Sequence, residues 1–316
     1  MEEERVITLR RPETAINKDS AQVDAHPIAL QPELHWREDM MRHQERLLPV
    51  VGPHLDRKSA GQKHPVVDFL FEYYRFRPSL LMKWSPGLGV KLENGAEEFG
   101  GRKHFSQSGP DCAVHVDGLT PARQASTRWV LELLQETQAR PPLLGCHGLH
   151  EWAMVYRSPE VRHEATRLRV SPDTLQGVVE AGPLMCTHHD AFRFFTSDAR
   201  PLNRHQPAPG TVHELEQPGC LHANMDVYRW AMKRYPWVPS ALIADSFLLA
   251  LEIRELDMRA SPYDLSELGY APIPIEEESG RAEYRRLQLD FFRRTLPLRD
   301  RLIDAYAKII AACQTS

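Results

Sequence analysis

The amino-acid sequence predicts a mainly α-helical α+β fold with a small antiparallel sheet or hairpin. Two observations indicate this class. Most of the chain has apolar residues at helical spacing, whereas residues 87–118 alternate in polarity around the turn pair Asn94-Gly95. With 316 residues, of which 42% are apolar and 26% charged, the chain has the composition of a globular protein with a sizeable core.

The start of the chain is polar, contains prolines and has no hydrophobic period. We therefore expect a flexible leader over residues 1–32, followed by a single mainly helical catalytic domain over 33–316. No apolar run is long enough to cross a membrane, and no signal peptide is apparent, so a cytoplasmic protein without a membrane partner is expected. The five cysteines are too few for a disulfide scaffold, and a net charge of −4 argues against simple electrostatic coating of DNA.

Helix signals recur in order along the chain. A first helix is expected from Glu33, closed by Pro53 and Gly61, and a second between Pro65 and Pro78. Thr120 and Pro121 then form a typical helix start. Four later strings also have a helical period, while strand-like residues around Val178 and Met185 predict another part of the sheet. The four strings are GLHEWAMVYR, HANMDVYRWAMKRY, SALIADSFLLALEIRELDMR and GRAEYRRLQLDFFRRTLPLRDRLIDAYAKIIAA.

Histidines cluster beside cysteines and carboxylates. Neither C-x-x-C nor H-x-x-x-H occurs, so the spacing does not indicate a structural zinc knuckle. A mixed nitrogen and oxygen site is a better metal hypothesis, because the helical step places His147, His150 and Glu151 on one face and His222 one turn from Asp226. Together with His188 and Asp190, these residues could converge as ligands of iron or zinc. The alternative is that these histidines form hydrogen bonds within helix junctions. The three Cys/His pairs are Cys146-His147, Cys186-x-His188 and Cys220-x-His222.

A second set of acids lies on the string ADSFLLALEIRELDMR. Asp245 and Glu252 are two helical turns apart, which places both on one stripe. Either this stripe lines a wet cavity or the acids pair with arginines, for which Arg254, Arg259 and Arg281 are candidates.

Aromatic residues concentrate in three strings, FLFEYYRFRP, HEWAMVY and DAFRFF. Such clusters are typical of a core, because aromatic rings bury a large area. A pocket in which a flat ring stacks is the functional alternative, with Asp190 at its edge as a base or electrostatic stabiliser.

Seven strings carry a resemblance: HPVVDFLFEYYRFRP, GLHEWAMVYR, CTHHDAFRFFT, ARPLN, QPGCLHANMDVYRWA, IRELDMRASPYDL and GRAEY. They resemble a family of bacterial proteins, common in actinobacteria, that is labelled 3-methyladenine DNA glycosylase, and the resemblance extends from about His35 to Ile303. Similar proteins carry Phe where this chain has His147 and His189. The resemblance therefore points to a set without these two: His150, Glu151, His188, Asp190, His222, Asn224 and Asp226.

The resemblance implies a hydrolase that excises alkylated purines from damaged DNA by cleaving the N-glycosidic bond, without a cofactor. A basic surface would contact phosphates, although interleaved acids on the same helix also fit a solvated face. The catalytic residues would be Asp190, His188, Glu151 and Asp226. The substrate pocket would comprise Trp152, Tyr156, Phe192, Phe194, Asn224 and Arg259, and the phosphate contacts Arg285, Arg286, Arg293 and Arg294.

Two other classes of function stay open. In the first, His150, His188 and His222 ligate iron or zinc in an enzyme that acts on a small heteroaromatic substrate, with Glu151, Asp190 or Asp226 as carboxylate ligand. This hypothesis accounts for the histidine enrichment, which a glycosylase does not need. In the second, the chain is a non-catalytic binding module, which predicts no enclosed polar cavity.

Overall fold

A computed structural model describes residues 29–158, 166–182 and 184–315 of the protein. Helices dominate it, joined by loops and short 3₁₀ turns, and the mainly helical α+β class is confirmed. The helices are α1 (Glu33–Ser59), α2 (Val67–Tyr74), α3 (Pro78–Leu81), α4 (Ala96–Phe99), α5 (Pro121–Ala139), α6 (Leu149–Ala153), α7 (Pro172–Glu180), α8 (His189–Phe192), α9 (Val212–Leu215), α10 (Leu221–Lys233), α11 (Ser240–Arg259) and α12 (Glu278–Thr315).

The sheet has four strands in the order β1-β2-β4-β3, where β1 is Ala29–Gln31, β2 is Val90–Leu92, β3 is Phe105–Ser108 and β4 is Asp111–Val114. It is mixed rather than antiparallel throughout, because β1 pairs with β2 in parallel. Residues 1–28 of the segment expected to be a leader lie outside the described residues, and residues 29–31 of that segment form β1.

The predicted hairpin lies further along the chain than expected. Asn94 has a φ of 52°, but the turn that it forms leads from β2 into α4. Strands β3 and β4 form the hairpin instead, across Gly109-Pro110, where Gly109 supplies a φ of 62°.

Two expectations about the elements are wrong. Pro53 does not close α1, because Val51 and His54 remain packed on the buried face of the helix, and α1 instead ends at Ser59, close to the other expected closing residue, Gly61. The segment around Val178 is helix α7 rather than a strand. Its start signal overrides the strand propensity, since Ser171 accepts a hydrogen bond from the Thr174 amide and Pro172 occupies the first helical position.

Helices α10, α11 and α12 pack against one another, and α5 packs against α12. Every residue of α10 from Leu221 to Tyr228 is buried, so this stretch has no solvent-facing side. Polar side chains on such a helix need a partner or a ligand, because burying an unpaired polar group costs roughly 1–3 kcal/mol. Three of them, His222, Asn224 and Asp226, lie in this stretch.

Among the helices that the structure describes, none has both the length and the apolar content to cross a bilayer.

Candidate metal centre and its cavity

Gly148 sets the position of the first functional segment. It precedes α6 with a φ of 74°, which favours glycine, and a Cβ atom there would lie 3.2 Å from the Ala260 Cβ and 3.3 Å from the Tyr284 ring. The absence of a side chain lets the α6 start lie directly against the end of α11 and against α12. As a result, His150 and Glu151 project into the buried space beside α10 and α11.

His150, His222 and Asp257 form a buried cluster, which we call the first triad. One ligand atom from each residue lies within 4.8 Å of those of the other two. The His150 and His222 rings meet edge to face with centroids 4.5 Å apart, and His150 Nε2 lies 2.8 Å from Asp257 Oδ1.

His150 and Asp257 form a buried ion-pair contact rather than a well-aligned hydrogen bond. Neither His150 Nε2 nor Asp257 Oδ1 has a hydrogen-bond partner of good geometry among the described residues. Two donors bound to one ion at about 2.0–2.2 Å and a right angle lie about 3 Å apart. Two imidazoles and one carboxylate are also the donor set of non-haem iron sites and suit zinc equally.

Neighbouring groups fix the orientation of these donors. Arg254 Nη1 donates to Asp257 Oδ2 at 2.8 Å and to Glu151 Oε1 at 2.7 Å, while the Cys146 sulfur lies 3.5 Å from His150 Nδ1. The Arg254 side chain is buried and its guanidinium lies 4.0 Å from the centre of the Phe69 ring. Ligands held in this way by outer partners keep the geometry that a metal requires.

Burial and mutual contact shift the pKa values of the three residues in the first triad in different directions. Burial, and then the neighbouring His150, hold the pKa of His222 well below its usual range. Burial alone would lower the pKa of His150 and raise that of Asp257, but each acts on the other, so the pKa of His150 is raised and that of Asp257 lowered. His222 is therefore neutral and Asp257 ionised at neutral pH, as metal ligation needs, and the His150 proton would leave on binding.

A cavity of about 900 Å³ opens beside the first triad, and His222 contributes to its wall. Glu151 and Arg254 contribute to the same wall, and the Glu151 Oε2 atom is buried without a hydrogen-bond partner. The described lining residues are Lys63, His64, Pro65, Asp68, Phe69, Glu72, Tyr73, Glu151, Met154, Thr166, Arg167, Asp190, Ala191, Phe194, His222, Arg254, Asp264, Glu267 and Leu268. Its carboxylates outnumber its arginines and lysines.

A second buried cluster, which we call the second triad, comprises His188, Glu216 and Asp226. The His188 ring stacks on the His222 ring with centroids 5.3 Å apart, so the two triads are neighbours. Arg229 Nη1 donates to Asp226 Oδ2 at 3.0 Å and to Asp190 Oδ2 at 2.8 Å, which links this cluster to the cavity wall.

The structure therefore distributes the predicted metal ligands over two sites. His150 and His222 share the first triad, whereas His188 belongs to the second with Asp226. Of the other predicted catalytic residues, Glu151 and Asp190 line the cavity.

Most of the residues that we assign to the substrate pocket lie elsewhere. Phe194 lines the cavity, but Trp152 is fully buried with its indole N–H donating to the Ala260 carbonyl. The Tyr156 hydroxyl donates to Glu180, and Phe192 packs on Phe195. These large rings fill the core because burial of their area stabilises the fold.

The two polar residues assigned to that pocket also lie elsewhere. Asn224 Oδ1 accepts a buried hydrogen bond from Arg299, and Arg259 donates to the Ala271 carbonyl beside a separate cavity of about 290 Å³. Besides Phe194, the larger cavity is lined by two aromatic side chains from the string FLFEYY, Phe69 and Tyr73.

Sequence analysis misses Asp257 and Glu216. A signal for Asp257 exists, because it lies one helical turn after Ile253 and so belongs to the buried stripe of α11. Glu216 follows α9 in a loop, where no period marks it. The acids that we single out on α11 are surface groups. Both acids pair with arginines, which is one of the two expected alternatives, but their partners are not the arginines that the sequence suggests. Asp245 pairs with Arg46 and Arg301, and Glu252 pairs with Arg294.

Comparison of the chain with protein-family profiles, with curated proteins and with solved structures finds no match in any of the three.

Proposed function

We propose that the protein is a metal-dependent enzyme in which His150, His222 and Asp257 bind a divalent transition metal ion, iron or zinc, next to the cavity. The observation that supports this most strongly is the pair of buried donors, His150 Nε2 and Asp257 Oδ1, which approach to 2.8 Å without the alignment of a good hydrogen bond. Such a contact leaves part of the bonding capacity of both buried atoms unused, and one metal ion bound to both would use it.

Glu151 is suited to transfer protons in the cavity. Arg254 holds its Oε1, while its Oε2 is buried and accepts no hydrogen bond. Because Glu151 also contributes to the cavity wall next to His222, its free oxygen can accept a proton from a bound substrate or water. A metal in the first triad would supply Lewis-acid polarisation of the same substrate.

The cavity walls indicate the class of substrate. Phe69, Tyr73 and Phe194 give the wall aromatic surface, in which Phe69 and Tyr73 stack on each other and can present their ring edges to a flat substrate. A volume of about 900 Å³ is at the upper end of what small-molecule sites have, so a small heteroaromatic substrate fits.

The experiment that tests this function is elemental analysis of protein purified without chelator. We expect about one iron or zinc ion per chain attributable to the first triad, and an Asp257→Asn variant that loses at least tenfold in affinity for this ion. Asp245→Asn is the matched control, since it removes a surface carboxylate from the same helix and should keep the metal. Unchanged metal content and affinity in Asp257→Asn would contradict the proposal.

A DNA glycosylase is the second candidate, and one observation favours it. Asp190 lies in the cavity with Tyr73 and Phe194, as a pocket for a flipped, cationic alkylated purine would require. The acidic wall suits such a base but not the phosphates that flank it, and two of the arginines expected to contact phosphates are already engaged. Arg285 contacts His147, and Arg294 pairs with Glu252 and Asp290.

Base release from alkylated DNA separates the two candidates. A glycosylase would release 3-methyladenine, lose this activity in Asp190→Asn and keep it in the presence of a chelator. The metal-dependent enzyme that we propose would release no base above background.

A further inference from the structure

We propose that His188, Glu216 and Asp226 form a second metal site, for a divalent ion such as iron, manganese or zinc. This inference goes beyond the proposed function, because the two triads share no residue and either can bind an ion without the other. One imidazole and two carboxylates form a harder donor set than the first triad, which suits these metals.

The spacing of the donors matches a shared ion better than direct hydrogen bonds. His188 Nε2 lies 3.4 Å from Glu216 Oε1 and 3.5 Å from Asp226 Oδ2. These distances exceed those of ordinary N–H···O hydrogen bonds. Two donors bound to one ion at about 2.1 Å with a tetrahedral angle are separated by about 3.4 Å.

The ring nitrogens of His188 form no hydrogen bond with any residue in the described part of the chain. Its side chain is 2% exposed, and both Nδ1 and Nε2 are buried without a hydrogen-bond partner. Glu216 likewise accepts no hydrogen bond on its carboxylate from a described residue, although it is 6% exposed. Two buried polar side chains that face each other unsatisfied point to a ligand between them.

Asp226 has the support that metal ligands usually have. The Tyr74 hydroxyl donates to its Oδ1 at 2.8 Å, and Arg229 donates to its Oδ2 at 3.0 Å. A carboxylate oxygen has two lone pairs, so Oδ2 can bind an ion while it accepts the bond from Arg229. Such outer hydrogen bonds orient a ligating carboxylate.

Titration of chelator-treated protein with cobalt(II), followed by its visible absorption, tests this inference. We expect saturation at two equivalents per chain for the wild type and for the surface control Asp245→Asn. Glu216→Gln and Asp257→Asn should each saturate at one, and the double variant should bind none. Glu216→Gln keeps the shape of the side chain. The number of cobalt equivalents that the wild type binds tests the inference even if a variant fails to fold.

The outcomes separate this inference from the proposed function. A wild type that saturates at one equivalent, retained in Glu216→Gln and lost in Asp257→Asn, would overturn the second site alone. One equivalent lost in Glu216→Gln and retained in Asp257→Asn would overturn the first site and support the second. A wild type that binds no cobalt would overturn both.

Discussion

At the scale of single residues, the site consists of polar atoms that the fold buries without a well-aligned hydrogen bond from a described residue. His150 Nε2, Asp257 Oδ1 and Glu151 Oε2 are all of this kind and lie together beside one cavity. The sequence shows the histidines and Glu151, because they interrupt apolar strings. It cannot show which atoms remain unpaired, since that depends on how Arg254 divides its hydrogen bonds between two acids.

Arg254 should be essential for stability. The Arg254→Met variant leaves Glu151 and Asp257 buried without their counter-ion, and we expect it to lower the free energy of unfolding by about 3–5 kcal/mol. Urea denaturation of metal-free protein measures this loss. Adding Glu151→Gln removes one of the two unpaired charges and should recover part of it. A loss below about 1 kcal/mol in Arg254→Met would contradict the assigned role.

At the scale of secondary-structure elements, local start signals predict better than periodicity does. The Thr120-Pro121 start of α5 is confirmed, with the Thr120 hydroxyl accepting from the Arg123 amide. The strand expected near Val178 is wrong, because the Ser171-Pro172 helix start outweighs the strand propensity of the β-branched residues that follow it. Pro53 does not end α1, since tertiary packing overrides the local signal there.

Gly148 should matter for the position of α6. We expect Gly148→Ala to lower the free energy of unfolding by about 1–2 kcal/mol more than Gly61→Ala. Both glycines have a φ near 70°, so both variants have the same backbone strain, but only at Gly148 would a Cβ meet neighbouring side chains. Thermal or urea unfolding of the two variants provides the measurement, and equal losses would show that the close approach is not important.

At the scale of the whole molecule, burial of polar groups inside one helical core accounts for both triads. Residues from α6, α10 and α11 meet in the first triad, although its first and last members, His150 and Asp257, are 107 positions apart in the sequence. Sequence spacing places His150 beside Glu151 and His222 near Asp226, which are local relations. It cannot pair α6 with α11, so Asp257 and the division into two triads emerge only from the packing.

The contribution of His43 to stability should fall as the pH is lowered from 7 to 5. Burial holds the pKa of His43 below its usual value, so the unfolded chain takes up a proton at a higher pH than the folded protein. The stability that depends on neutral His43 is therefore present above about pH 6.5 and is lost as the pH falls toward the lowered pKa. Urea midpoints should decline less steeply with falling pH in His43→Gln than in the wild type. Parallel pH profiles would exclude this contribution.

Anomalous diffraction at the absorption edge of the bound metal, from a crystal of protein purified without chelator, tests the central claim most directly. We predict a peak about 2.0–2.2 Å from His150 Nε2, Asp257 Oδ1 and a ring nitrogen of His222. A metal-free first triad in which His150 donates a well-aligned hydrogen bond to Asp257 would contradict it.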